Sequence, residues 1–334
     1  MNGLPTPTTP AAPTPPVIPP QHLKQIQLQT HLQSVLQEGN KIRQQLIKEI
    51  ESLDSIPRRL LVYVGNMANF NSQIAPPHTV PLADALAQIG KTENLDLMIH
   101  TMGGSGDTAE KIVEMCRNHC SGEFRVIIPN MAKSAGTLIA LGADKIVMGH
   151  CSEAGPIDPQ IRIMVSNCPQ QLSAWTFVHA RDELIEKYDE AVAKNETPDA
   201  YLQQLATIDP VFVAHCSQLM EFAKKVGRKW ITARLVKIPM PLDEAEKKAD
   251  AVIDFLSDVK EHISHGRLIL AGELRQHCEP TLIIEELEEI NPLWQKLWQL
   301  YVRYEVFFMQ PNPHGMPAKS VVIETTDVSF TINA

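Results

Sequence analysis

The chain contains 334 residues, with a formal net charge of −9 at pH 7 and an estimated pI of 5.7. This length is enough to bury one large core or two ordinary ones, so folding needs no disulfide or metal staple. The acidic balance gives no overall attraction for a phosphate backbone, and we therefore expect no nucleic acid as a main partner.

The first 56 residues divide into two segments of different composition. Residues 1–20 are dominated by proline, threonine and alanine, which predicts a disordered tail because little apolar bulk is available for burial. Residues 21–56 are glutamine-rich, and their apolar residues recur at mostly three- and four-residue spacing, which predicts an amphipathic helical arm. Such an arm either packs on its own domain or associates with another chain.

Residues 57–275 alternate between strand-length apolar runs and helical patterns. The predicted strands are 58–65, 95–101, 124–130 and 144–149, and the predicted helices between them are 81–90, 107–119 and 134–141. This alternation predicts an α/β domain whose mainly parallel sheet has helices on both faces. Beyond residue 158 the pattern becomes mostly helical. Residues 276–334 predict a C-terminal extension made of an aromatic-rich helix and a terminal hairpin.

Six cysteines are scattered through the chain, and four of them directly follow a histidine. Adjacent side chains diverge on a helix or a strand, so such a pair rarely binds one metal ion, and no metal-site spacing is present. We expect reduced thiols and neither a metal nor a cofactor. No run approaches the roughly 18 apolar residues of a membrane span, and no basic-then-apolar leader opens the chain, so we expect a cytoplasmic location.

Two turns that each follow a predicted strand carry the candidate chemistry. Gly103, Gly104 and Gly106 place amide N–H groups where they can face a ligand, but their spacing is not a nucleotide-binding fingerprint. Ser134 stands at the next strand-to-helix junction, where it is either a helix N-cap or a nucleophile. A nucleophile needs a base and donors for the oxyanion, and the amides of Gly104 and Ala135 can supply the donors.

The segments MIHTMGGSGDTAEKI, VIIPNMAKSAGTLIALGADKIVMG and SEAGPIDPQI resemble the superfamily of the Clp protease proteolytic subunit and signal peptide peptidase A, which has the crotonase-type fold. The chain most closely resembles the serine dehydrogenase proteinase family of that group, over roughly residues 55–275. The resemblance implies a core of repeated β-β-α units. It also implies that Ser134 is the nucleophile of a serine peptidase and that Gly104 supplies an oxyanion amide.

The resemblance leaves the general base open. Clp-type members use a histidine about 25 positions after the serine, where this chain has Asp158. Peptide peptidase members use a lysine further downstream, which favours Lys187 here, with Lys194 as a second choice. Such a lysine acts only when it is neutral, so burial would have to lower its pKa.

Three further residues remain as candidates near the serine or in the motifs. Lys133 adjoins the serine in the chain, although its side chain is expected to point elsewhere, and His150 could approach if its loop folds back. His265, in the segment HISHGRLI, matches the family without an assigned role.

The expected function is that of a serine peptidase acting through a Ser134 acyl-enzyme with Lys187 as its base. Its superfamily relatives work as rings or stacks, which implies a homo-oligomer that acts on peptide or protein substrates. A crotonase-like acyl-CoA or carboxyltransferase enzyme would use the same turns without a serine nucleophile. A catalytically silent oligomeric scaffold is the other alternative.

Overall fold

A computed structural model describes residues 39–165, 167–238, 240–311 and 318–333. The chain divides into two compact units, Met1–Ile42 and Arg43–Ala334. The first unit is described only at residues 39–42, which are helical, so the predicted tail and most of the predicted arm lie outside the described residues. The second unit opens with a helix over residues 43–51, α1, and contains all the elements named below.

A seven-stranded mixed sheet runs through the second unit. Its strands are β1 Arg59–Gly65, β2 Leu95–His100, β3 Phe124–Ile128, β5 Lys145–Gly149, β10 Ile284–Leu287, β11 Lys319–Glu324 and β12 Ser329–Asn333. Their order across the sheet is β10-β5-β3-β2-β1-β11-β12. The five strands from β10 to β1 are parallel, and β11 and β12 pair antiparallel. Every residue of β2 and β3 is buried, as expected of parallel strands that are covered on both faces.

The helices lie on both sides of this sheet. They are α2 Thr79–Ile89, α3 Gly106–His119, α4 Ala135–Leu141, α5 Ala174–Ala193, α6 Asp199–Leu205, α7 Pro210–Leu235, α8 Leu242–Ser257, α9 Val259–His262, α10 Ala271–Cys278 and α11 Pro292–Met309. Successive residues of β1 point to opposite faces, so Leu61 and Tyr63 join one hydrophobic core while Val62 and Val64 join a second. The first core is closed by α2, α3, α4, α7 and α8, and the second by α1 and α11. The predicted α/β architecture with helices on both faces is confirmed.

A second, three-stranded sheet is formed by β4 Met131–Ala132, β6 Glu153–Ala154 and β9 Ile269–Leu270. It begins where strands of the large sheet end, because β3 leads into β4 and β5 leads into β6. Thr101, just after β2, forms an isolated bridge to Ala132 in the same region. A long strand, a short strand or bridge and then a helix therefore follow each other twice, which gives the predicted β-β-α units.

The end of the chain is joined to the large sheet. The predicted terminal hairpin is present as β11 and β12, and β11 pairs with β1 of the seven-stranded sheet. Arg43 donates its Nε to the Glu324 carboxylate at 2.8 Å, and the Tyr304 hydroxyl donates to the same carboxylate. All three side chains are buried, so this cluster ties α1 and α11 to β11.

Residues 160–205, which follow β6, are more exposed than the rest of the second unit. A hairpin of β7 Gln160–Val165 and β8 Cys168–Ser173 leads into α5, in which only Ala174 and Ala191 are buried, and α6 buries no residue. Apolar side chains on these helices face solvent, with Ile185, Val192 and Leu202 between 42% and 54% exposed. Within the described part of the chain, no helix is both long and apolar enough to cross a membrane.

Candidate functional site

The glycine turn after β2 is held in a shape that only glycine adopts readily. Gly103 and Gly104 have φ values of 102° and 143°, and a β-carbon on Gly104 would lie 2.3 Å from the carbonyl oxygen of Ile74. Ile74 clamps the turn from both sides, since its amide donates to Gly103 O at 2.7 Å and its carbonyl accepts from Ser105 N at 2.8 Å. Across the described residues, the Gly104 amide donates no hydrogen bond, so it is available to a ligand.

Ser134 stands at the N-terminus of α4 without acting as an ordinary cap. Its backbone has φ 51° and ψ −113°, a strained combination for a residue with a side chain, and its hydroxyl caps no amide of the helix. A β-carbon on Gly103 would lie 2.8 Å from the β-carbon of Ser134 and 3.3 Å from the amide nitrogen of Ala135. The glycine turn, the serine and the Ala135 amide therefore lie side by side, as predicted from the ends of neighbouring parallel strands.

The three-stranded sheet joins the three segments that carry Ser134, Asp158 and His265. Its strand β4 ends two residues before Ser134, β6 ends four residues before Asp158, and β9 begins four residues after His265. The pairs Ala132↔Ala154 and Ala154↔Ile269 fix the register of all three strands. The sheet thus holds the loops that follow or precede it at one place in the fold.

Asp158 and His265 form a hydrogen-bonded pair within these loops. His265 Nδ1 lies 2.7 Å from Asp158 Oδ1, although the two residues are 107 positions apart in the sequence. The aspartate side chain is 6% exposed and the histidine side chain 24% exposed. A buried carboxylate that accepts from Nδ1–H selects the tautomer in which Nε2 is the basic nitrogen, which is the arrangement a general base requires.

Strained backbone marks the same loops. Four described residues other than glycine have positive φ, and two of them are asparagines, which tolerate this conformation. The other two are Ser134 and Ile263, which has φ 62° and lies two residues before His265. Strain of this kind persists where the surrounding structure enforces it, and it is found disproportionately at functional sites.

Lys133 connects the loops but is itself fully engaged. Its ammonium donates to Ala154 O at 3.0 Å and to Arg267 O at 3.1 Å, and it lies 3.2 Å from a Glu153 carboxylate oxygen. Burial lowers its pKa, and the charge of Glu153 opposes that shift. Since all three ammonium protons have acceptors, Lys133 serves as a strut between the serine segment and the histidine segment.

The structure places the lysine predicted as the base in solvent. Lys187 is on α5 with its side chain 49% exposed, and its ammonium lies 2.9 Å from Glu183. The hydrogen bond and charge of Glu183 raise the pKa of Lys187, which is the opposite of the shift a neutral lysine base needs. Lys194 has the same arrangement with Glu190. The physical condition attached to the lysine prediction is therefore not met, because neither side chain is desolvated.

His150 also has its own partners away from the serine. Its Nε2 lies 3.2 Å from a Glu289 carboxylate oxygen, and its ring packs edge-on against Trp294. Trp294 belongs to the second core, on the side of the sheet closed by α11. In the described ranges, no group of three or more histidine, cysteine and acidic side chains could hold a metal ion.

A buried histidine lies beneath both turns. His100, the last residue of β2, is fully buried and its Nδ1 accepts from Met131 N at 3.3 Å. Its Nε2 lies 3.5 Å from the Tyr301 hydroxyl and 3.6 Å from a Glu305 carboxylate oxygen. Burial lowers the pKa of His100 to about 4, so the ring is neutral at pH 7. Sequence reasoning passed over this residue, because nothing in the motif distinguishes it from an ordinary strand position.

A protein-family model matches the part of the chain that contains the glycine turn, Ser134 and Asp158. Residues 81–178 match the model described as ClpP-like SDH-type serine proteinase. The resemblance to that family is confirmed over this segment. The matched residues include Gly104, Ser134 and Asp158, and they end before His265.

Two curated relatives come from the archaeon Methanocaldococcus jannaschii. The uncharacterized protein MJ0137 is 46% identical over 77 residues, which is 23% of this chain and 27% of the relative. The uncharacterized protein MJ1495 is 46% identical over 67 residues, or 20% of this chain and 23% of the relative. This chain therefore matches only about a quarter of the length of each curated relative.

Solved structures with a partial likeness include the 1510-N membrane-bound stomatin-specific protease. A serine-to-alanine mutant of it has a TM-score of 0.35 at 15% identity, covering 67% of this chain and 79% of that one. A lysine-to-alanine mutant in complex with a substrate peptide has a TM-score of 0.34 at 15% identity, covering 67% of this chain and 75% of that one. Both TM-scores are below 0.5, so the overall likeness is weak.

Proposed function

We propose that the protein is a serine peptidase in which Ser134 is the nucleophile, His265 the general base and Asp158 the group that orients it. The observation that carries this proposal is the 2.7 Å contact between His265 Nδ1 and the buried Asp158 carboxylate. The strained, uncapped Ser134 beside the glycine turn also supports it. This assignment replaces Lys187 as the base.

The first chemical step uses each of these groups once. The Ser134 hydroxyl oxygen bonds to the carbonyl carbon of a peptide, and its proton passes to His265 Nε2. The carbonyl oxygen becomes an oxyanion, and the amides of Gly104 and Ala135 donate to it. Collapse of this intermediate breaks the C–N bond, and the imidazolium returns the proton to the leaving amine.

The second step releases the acyl group. Water attacks the ester on Ser134, and His265 takes a proton from that water and then gives it to the serine oxygen. The Asp158 carboxylate stabilises the imidazolium that forms in each step. The reaction consumes one water for each peptide bond and needs no metal or cofactor.

Peptides or proteins are the proposed substrates, and a homo-oligomer in the cytoplasm is the proposed working form. The exposed apolar side chains of Ile185, Val192 and Leu202 support the association of α5 and α6 with another copy. A helix pair that buries so little in its own chain has an unpartnered face. The oligomeric state can be measured directly by analytical ultracentrifugation of the full chain.

Active-site labelling tests the proposed chemistry. A fluorophosphonate probe should add one adduct to the wild type and none to Ser134→Ala, read by intact mass. His265→Ala and Asp158→Asn should label slowly, whereas Lys187→Ala should label at the wild-type rate. Labelling of the Ser134→Ala variant, or slow labelling only in Lys187→Ala, would contradict the proposal. An unlabelled wild type that binds acyl-CoA would instead favour the crotonase-like alternative.

A further inference from the structure

Thr101 lies between the glycine turn and the segment that carries Ser134. It directly follows β2, it is fully buried, and its backbone bonds to both residues that flank Ala132. Thr101 N donates to Met131 O at 3.0 Å, and Lys133 N donates to Thr101 O at 3.0 Å. These two bonds place Thr101 opposite Ala132, two residues before the serine.

The two branches of the Thr101 side chain contact two different parts of the site. Its hydroxyl oxygen accepts from Gly103 N at 3.0 Å, so it binds an amide of the glycine turn. Its methyl group lies against α4, because a β-carbon on Gly136 would be 2.5 Å from Thr101 Cγ2. One side chain thus contacts both the turn that carries the Gly104 amide and the helix that begins with the Ala135 amide.

The glycine turn is held by two residues. Ile74 bonds to it through its own amide and carbonyl, and the Thr101 hydroxyl bonds to the Gly103 amide. Glycine adopts many backbone conformations with little cost, so these bonds select the one that the turn has here. The direction of the Gly104 N–H depends on that conformation. A turn released by Thr101 would therefore present the Gly104 amide differently to a ligand bound at the serine.

We propose that Thr101 is a positioning residue for the oxyanion donors, acting through the bond between its hydroxyl and the Gly103 amide; the inference rests on the proposed peptidase function. Oxyanion donors stabilise the transition state most when they already point to the place where charge develops. Because Thr101 is fully buried, it acts through the amides of Gly104 and Ala135 and not by contact with the substrate. Loss of its hydroxyl should therefore slow the chemical step more than it weakens binding.

The rate of fluorophosphonate labelling at Ser134, measured over a range of probe concentrations, tests this role. Thr101→Val keeps the branched shape without the hydroxyl, and it should lower the limiting rate at least about tenfold while the half-saturating concentration changes less than about threefold. Thr101→Ser keeps the hydroxyl and should leave both values within about threefold of the wild type. Thr325→Val is the matched control, because Thr325 is equally buried and its hydroxyl accepts from two amides of the turn between β11 and β12. It should lower the urea midpoint of unfolding without changing the limiting rate.

A compensating pair of substitutions keeps the test independent of how well Thr101→Val folds. Gly136→Ala should lower the limiting rate because its β-carbon meets the Thr101 methyl group, and adding Thr101→Ser, which removes that methyl, should raise the rate again by at least about threefold. Gly142→Ala at the end of α4 meets the Val113 methyl groups instead, so Thr101→Ser should not restore that variant.

Three results would each overturn this inference alone, provided that the probe labels the wild type. They are a limiting rate in Thr101→Val within about threefold of the wild type, equal losses in the valine and serine variants, and no recovery in the Gly136 pair. A wild type that the probe does not label overturns the proposed function and this inference with it.

Discussion

Two lysines in the same folded unit show opposite behaviour. Lys133, beside the three-stranded sheet, is 9% exposed, and its ammonium donates hydrogen bonds to two backbone carbonyls. Burial lowers its pKa. Lys187, on α5, is half-exposed, pairs with Glu183 and has its pKa raised by that partner. Both lie close to a carboxylate, so the difference comes from burial. Distance along the chain from the serine therefore does not identify a base, whereas burial and long-range partners do.

The largest expected effect on activity comes from neutralising one carboxylate near the three-stranded sheet, and it is compared with the same change on α5. Asp158→Asn should lower kcat by about 10³- to 10⁴-fold, because the amide cannot hold the imidazolium of His265. Glu183→Gln removes the partner of Lys187 and should change kcat by less than about twofold, since exposed pairs contribute little. Peptide hydrolysis by both variants measures this. A larger loss of kcat in Glu183→Gln than in Asp158→Asn would contradict the proposed base and favour Lys187 on α5.

The next effect concerns the glycine turn. Gly103→Ala should lower kcat/KM by about 10²-fold, because the new β-carbon would lie 2.8 Å from both Lys133 O and the β-carbon of Ser134, displacing the oxyanion donors. Gly90→Ala is the matched control, since its φ is 74° but no atom lies within 4 Å of the added carbon. It should cost stability through backbone strain while leaving kcat/KM unchanged. Equal losses of activity in the two variants would show that general strain, not the site, is responsible.

Replacing each lysine with methionine tests the structural role assigned to Lys133. Lys133→Met should lower the free energy of unfolding by about 3 kcal/mol, because it removes the donor to the buried Ala154 carbonyl and the half-buried Arg267 carbonyl and leaves Glu153 without its partner. Lys187→Met should leave it close to the wild-type value, because an exposed ion pair contributes little. Urea unfolding followed by circular dichroism gives both values. Similar stability of the two variants would contradict the role assigned to Lys133.

The smallest expected effect is a pH dependence of stability that His100 contributes. Its pKa in the folded protein is lowered to about 4 from 6.5, so the unfolded chain binds more protons between those values. Stability from this group is complete above pH 6.5 and falls as the pH drops towards 4, by about 2 kcal/mol between pH 7 and pH 5. His100→Gln should remove this loss, as measured by urea unfolding at both pH values.

The side chains of Glu305 and Tyr301 lie next to His100 and can also titrate, so the His100 experiment requires a control. Burial raises the pKa of Glu305, so that carboxyl contributes in the opposite sense as the pH falls, and the Tyr301 hydroxyl is protonated throughout the range. Glu305→Gln should therefore steepen the loss of stability on acidification. If His100→Gln keeps the wild-type pH dependence, the buried histidine does not account for it.

Local patterns were enough to predict the parts of the site that lie close together in the sequence. The glycine turn and the serine each follow a buried strand, and parallel pairing of β2 with β3 puts such strand ends at one edge. The strand and helix order also follows from hydrophobic periodicity, because burial on both faces leaves continuous apolar runs. The positions of Ser134, Gly104 and Ala135 beside each other were predicted for this reason.

The base could not be found in the same way. His265 lies 107 positions from Asp158, and the pairing of β6 with β9 brings their loops together. A helix such as α5 shows lysines at suitable spacing from the serine, but the sequence does not show whether that helix is covered. Desolvation is a property of the packed structure, and it decides which ionisable group can act.

The sequence by itself determined the α/β order, the glycine turn and the serine, because each depends on backbone preferences and apolar patterns within a few residues. The tertiary structure decided the Asp158–His265 pair, the buried strut of Lys133 and the solvent exposure of Lys187, because these depend on strand pairing across more than a hundred residues and on burial. Hydrogen bonds and pKa values of side chains follow from those long-range neighbours.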